Sequence, residues 1–116
     1  MSAHDQPQLD AIAFQLVAAV ESYEQEVDLL LAAWPDMEQY RAVSEGIEAV
    51  RRYAAALPTL SVQFVALLIA HTELVHALWQ QTNDRRAVDR HELQPACEQH
   101  RRCAAALRLK CKSLPR

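Results

Sequence analysis

Glycine is almost missing: Gly46 is the single one in 116 residues. Glycine-rich phosphate cradles need several such residues, so nucleotide chemistry of those types is not expected. Turn-dense sheets are disfavoured on the same ground. With five prolines against abundant alanine and leucine, the composition is that of long helices, an all-α class. Three cysteines are an odd number and make no paired disulfide framework, which suits a reducing compartment. The opening residues MSAHDQPQLD have neither the basic start nor the apolar core of a secretory signal, so a cytoplasmic location is expected. Long apolar runs are also missing. The oiliest window, SVQFVALLIAH, meets Thr72, Glu73 and His76 before the roughly 20 apolar residues of a membrane span are reached. It reads as a core helix, and no membrane partner is expected.

Basic charge is scarce in most of the chain. Residues 1–82 hold 3 Lys or Arg against 11 Asp or Glu, whereas residues 83–116 hold 9 against 4. The two regions attract, and the asymmetry can be met within one chain, between two copies, or by an anionic partner of the C-terminal third. The arginine- and alanine-rich composition would suit a GC-rich bacterial genome.

What is present is helical periodicity. Leu9, Ile12, Leu16, Val20, Tyr23, Val27, Leu30, Leu31 and Trp34 recur at steps of three and four, which stacks them on one face of a helix over about 8–33. Pro35 blocks continuation. Asp36 and Gln39 then form a capping pair for a second helix, about 36–57, whose inner side is Tyr40, Val43, Ile47, Val50, Ala54 and Leu57. Arg41, Glu45, Glu48 and Arg52 make its outer, solvated side. Gly46 borders the inner side, where it either admits a close neighbour or is simply tolerated. Pro58 ends this helix. Ser61 suits the cap of a third, about 61–81, apolar over most of its girth, and Pro95 suits the first turn of a fourth, about 95–112. Residues 83–93 are a short helix or a loop. One domain, 1–116, is expected, and short connections favour an antiparallel four-helix bundle of the up-down type, completed or extended by dimerisation where one chain does not suffice.

Candidate chemistry sits on two helices. In AHTELVHALWQ the five-residue separation turns His71 and His76 about 140° apart, so they cannot share an ion. The zinc-protease pattern is absent, since it needs histidines four apart. Glu73, His76 and Gln80 share the less apolar side and read as solvent- or interface-facing. His71 lies among Phe64, Leu67, Val75 and Leu78, so its ring is expected to be buried, neutral and bonded to a tyrosine hydroxyl, carboxylate or carbonyl.

In CEQHRRCAAALRLKC the inner face is Cys97, His100, Cys103, Ala104, Leu107 and Cys111. Metal coordination would draw on Cys97, His100, Cys103 and His71, but no second paired ligand set exists, and inward thiols usually act as small apolar groups. A redox thiol would need Arg101, Arg102 or Arg108 to favour its thiolate. Catalysis is not expected. Cys97 and His100 lack an orienting third group and an oxyanion hole, and the acidic ridge Glu21, Glu24 and Asp28 reads as a hydrated face. No cofactor is expected.

Phosphate contacts would fall to Arg85, Arg86, Arg101, Arg102 and Arg108. Against a nucleic-acid role stand the acidic total and a C-terminal third without aromatic residues to stack on bases. The preferred expectation is a small soluble helical protein-interaction or regulatory module that self-associates, commonly as a homodimer. A nucleic-acid-associated regulator and a metal- or redox-responsive bundle are the alternatives.

Overall fold

The computed structural model describes residues 6–83 and 90–114. Helix α1 spans Gln6–Ala33, α2 Met37–Ala55, α3 Ser61–Asn83 and α4 Arg90–Lys112, with a single 3-10 turn at Pro58–Leu60. Among the described residues there is no strand, so the all-α class holds.

The inner stripe of α1 is built as its periodicity requires. Leu16, Val20, Tyr23, Val27 and Leu30 are buried, with Leu9, Ile12 and Trp34 packed at their margin. The Trp34–Pro35 bond is cis. Asp36 then caps α2, its Oδ1 accepting from the backbone N–H of Glu38 at 3.0 Å and of Gln39 at 3.3 Å. The Gln39 side chain does not close the expected reciprocal pair. It reaches α1 instead, where its Nε2 donates to the Glu26 carbonyl at 2.9 Å and to Glu26 Oε2 at 2.6 Å. A bond between helices satisfies the amide as well as a cap would, and it also ties α2 to α1.

The starts of α3 and α4 differ from expectation. Ser61 is no cap: the 3-10 turn at Pro58–Leu60 leads straight into α3, and Ser61 already has helical angles. Pro95 lies inside α4 rather than in its first turn. There it removes the bond to the carbonyl of residue 91 and its ring crowds that carbonyl, a cost that a proline in the first turn would avoid. Of the segment expected as a short helix or loop, residues 84–89 lie outside the described residues, and 90–93 belong to α4.

The core joins these elements through Val43, Ile47, Val50 and Ala54 of α2, Leu67, Leu74 and Leu78 of α3, and Cys103, Ala104, Leu107 and Cys111 of α4. Each large aliphatic chain withdrawn from water is worth roughly 1.5–3 kcal/mol. Helix α1 packs closely on α2 and also on α4, and α3 packs closely on α4, whereas α2 and α3 meet sparsely. At one end Trp34, Tyr40 and Trp79 stand edge-on, the two indoles 4.9 Å apart between centroids. Trp34 Nε1 donates to Thr82 Oγ1 at 2.6 Å, and that hydroxyl in turn donates to the Leu78 carbonyl at 3.2 Å. The cluster thus clasps the α1–α2 turn to the end of α3.

Sparse cover from α2 changes the reading of α3. Leu67, Ala70, Leu74 and Leu78 are buried, but Val62, Val65 and Ile69 are 74%, 50% and 54% exposed. The stretch Pro58–Thr82 is in fact long and apolar enough to cross a membrane by length and composition, and only 28% of its most apolar window is buried. The expectation of a plain core helix is therefore corrected: one side of α3 lies in the core and the other is an uncovered apolar strip.

Gly46 proves to be a close approach. A Cβ there would lie 3.3 Å from Tyr23 Cδ1 and 3.5 Å from Tyr23 Cα, against a ring that has no free direction to move. In urea unfolding, Gly46→Ala should show none of the roughly 1 kcal/mol that alanine gains over glycine in an open helix. Gly46→Val should lose about 2 kcal/mol through overpacking. A valine variant as stable as the parent would refute the close approach.

Candidate functional site

The most concentrated chemistry lies where α1, α3 and α4 meet. Tyr23 is wholly buried, and its hydroxyl lies 2.7 Å from His71 Nδ1 and 2.7 Å from His100 Nε2. Periodicity dictates the meeting: Tyr23 falls on the inner stripe of α1, His71 near that of α3, and His100 on the cysteine face of α4. A phenol carries one proton. One imidazole therefore accepts the O–H while the other donates its N–H to the phenol oxygen, which satisfies three buried polar groups with two bonds. His71 finds the tyrosine hydroxyl expected for it but is half-buried rather than fully buried, because the side of α3 facing away from Tyr23 has little cover.

Burial sets the protonation states. Desolvation pushes the Tyr23 phenol above its ordinary range, and the nearby Glu24 carboxylate adds to that. Desolvation also lowers His71 and takes His100 down to about 4, where His71 and Arg101 push in the same direction. At neutral pH all three groups are uncharged, and the cluster is a relay of hydrogen bonds rather than an ion site.

Beside His100 lies a cavity of about 120 Å³ lined by Glu24, Asp28, Leu74, Cys97 and Arg101 among others. Cys97 is half-buried, and burial raises its thiol pKa, only partly offset by Arg101, with Asp28 and Glu98 raising it further. A protonated thiol is a poor nucleophile and a poor redox sensor. Cys103 is buried and accepts from Gln99 Nε2 at 3.6 Å, and Cys111 Sγ donates to the Ala13 carbonyl at 3.2 Å with its thiol also raised by burial. Of the four residues weighed for a metal, Cys97 and Cys103 flank His100 on α4, while His71 and His100 both turn to Tyr23. Among the described residues no group of three or more His, Cys, Asp or Glu is placed to hold a metal ion.

The basic residues separate. Arg85 and Arg86 lie outside the described residues. Arg101 and Arg102 are exposed on α4. Arg108 is spent within the chain, its Nε 2.6 Å from Glu24 Oε1 and its Nη2 3.4 Å from Oε2. Part of the attraction between the acidic N-terminal region and the basic C-terminal third is met here, and the acidic ridge loses Glu24 to it. Glu73, His76 and Gln80 are exposed.

Two features escape periodicity. It places Tyr23 on an inner face without saying that two histidines share its hydroxyl, although a buried phenol always needs a partner and the inward histidines offered one. It also leaves open which side of α3 goes uncovered, because that depends on neighbours that one helix cannot reveal.

Tyr23→Phe removes the shared hydroxyl and leaves the buried ring nitrogens unpaired, which should cost about 1–3 kcal/mol in urea unfolding at neutral pH. The pH dependence has a definite sign. Unfolded histidine takes its proton near pH 6.5, while folded His100 does not until about 4, so the unfolded state holds more protons between them. Stability is complete above about pH 6.5 and should fall by up to about 3 kcal/mol as pH drops toward 4. The exposed His76→Ala variant should keep the same slope, and a flat profile in the parent would contradict the neutral relay.

Comparison with protein-family models, with curated proteins and with solved structures finds no match for this chain.

Proposed function

We propose that this chain is a helical protein-interaction module that associates with a protein partner, in its simplest form a second copy of itself. The observation that carries this reading is the uncovered apolar strip of α3, with Val62, Val65 and Ile69 half exposed or more. A strip of this kind on a small domain marks a contact surface more often than an idle one.

The proposed frame is an antiparallel up-down four-helix bundle, and the order of contacts supports it. Along α1 and α4, Ala13 meets Cys111 while Asp28 shares a cavity with Cys97, so the two run in opposite directions. Gln39 reaches back to Glu26 across the α1–α2 turn. On α3 and α4, Ala66 shares a groove with Cys103 and Ala106 while Leu74 sits beside Cys97. In this reading the Tyr23 relay is a structural key that sets the register of the helices. Catalysis and cofactors play no part, and the setting is the cytoplasm, where free thiols stay reduced.

Exposed Arg101, Arg102, Lys110 and Lys112 on α4 support the alternative of contact with nucleic acid. Sedimentation at tens of micromolar separates the readings. The protein should sediment as an assembly larger than its 13.1 kDa chain, with no salt-sensitive retention of duplex DNA. A monomer at that concentration would contradict self-association, and salt-sensitive DNA retention would favour the nucleic-acid role.

A further inference from the structure

Along the outer side of α3, Val62, Val65, Ile69, Thr72 and His76 are exposed, and Trp79, whose ring packs edge-on against Trp34, leaves 37% of its surface open. They follow one another at steps of three, four, three, four and three. This is the heptad spacing that sets one side of a helix against another helix, sustained over roughly 27 Å. No Asp, Glu, Lys or Arg sits on the strip. Thr72 satisfies its hydroxyl within its own helix, donating to the Leu68 carbonyl at 3.0 Å. The outer side of α2, by contrast, carries Arg41, Glu45, Glu48 and Arg52. Depletion of charge together with an aromatic side chain is the composition of an interface centre.

Resting on the interaction reading above, the geometry points to a two-fold dimer in which this strip of α3 packs antiparallel on the same strip of a second copy. The two-fold passes between Ile69 and Thr72. A two-fold contact must be complementary to itself, and here it is: Trp79 meets Val62, His76 meets Val65, and Ile69 meets Thr72, large opposite small at each outer level. A parallel pairing would set Trp79 on Trp79 and His76 on His76.

Charge selects the same arrangement. Glu73 lies two turns beyond Ala66, on the side of α3 where Ala66 and Arg102 line the groove shared with α4, a groove of about 440 Å³. The antiparallel two-fold sets Glu73 of one copy level with Leu68 of the other, about half a turn from Ala66 and on the flank whose groove Arg102 lines, so acid and base share both rims. Parallel pairing would set each Glu73 against the other flank of the partner helix, away from the groove that Arg102 lines. The same carboxylate, with Gln63 and Gln80, makes α3 a poor occupant of lipid hydrocarbon, so a protein strip is the better cover.

The test compares the full chain with two charge insertions, each checked by helical circular dichroism and thermal unfolding. Both target exposed positions: Ile69→Arg on the strip and Phe14→Arg on the outer side of α1. In sedimentation equilibrium the parent and Phe14→Arg should be dimers, and Ile69→Arg should associate at least about tenfold more weakly, a change equal to one decade of dissociation constant. For register, the double variant Val65→Cys with His76→Cys should form an oxidised covalent dimer, and Val65→Cys alone should not exceed the parent.

A dimeric Ile69→Arg would overturn this interface and leave self-association standing. A monomeric parent would overturn both. A monomeric parent that floats with phosphatidylcholine and phosphatidylglycerol vesicles, where Ile69→Arg does not, would replace the second copy with a lipid surface. Covalent dimers from Val65→Cys alone would overturn the antiparallel register.

Discussion

A phenol has one proton to give, and at Tyr23 two imidazoles ask for it. That constraint organises the molecule. Tyr23 belongs to α1, His71 to α3 and His100 to α4, and the one glycine of α2 lies against the same ring. All four helices therefore meet at one side chain. Apolar stripes hold rods together without fixing how far one slides along the next, since leucine against leucine is much the same a turn up or down. Two hydrogen bonds of 2.7 Å to a single buried oxygen admit no such slippage. The buried polar cluster thus contributes register, and its contribution to stability rests on each member being satisfied by the others.

Much of this was legible from residue spacing. The stripes Leu16 to Leu30 and Val43 to Leu57 are buried as their steps of three and four require, and Asp36 caps α2 because a carboxylate before a helix meets free N–H groups whatever the fold. The inward face of α4 is legible for the same reason, and so is the tyrosine partner of His71 as one option of three. Pro95 and Ser61 were not. Whether a helix begins a turn earlier depends on backbone beyond the local signal, and each was given the commonest position for its type. The Gln39 to Glu26 bond was hidden because both cap and cross-helix partner satisfy an amide, and only the packing of α1 on α2 decides between them.

The exposed side of α3 is the larger lesson. Its apolar residues cover nearly the full circumference, so it needs neighbours on several sides, more than a bundle this small readily supplies. Burial takes neighbours, and α2 meets α3 only sparsely. The excess of apolar surface on one helix then reflects how few neighbours the fold sets against it. Cys103 and Cys111 are buried in the way inward thiols usually are, as small apolar groups, Cys103 bonded to Gln99 on its own helix and Cys111 to the Ala13 carbonyl of α1.

The relay has a consequence that a single spectrum can read. His71 faces the phenol with Nδ1 and His100 with Nε2. If the phenol proton goes to His71, both rings carry hydrogen on Nε2; if it goes to His100, both carry it on Nδ1. Nitrogen-15 NMR of the imidazoles at neutral pH tests this most directly. Two neutral rings in the same tautomer are expected, and rings of opposite tautomer, or a charged ring at pH 7, would contradict Tyr23 as the shared partner.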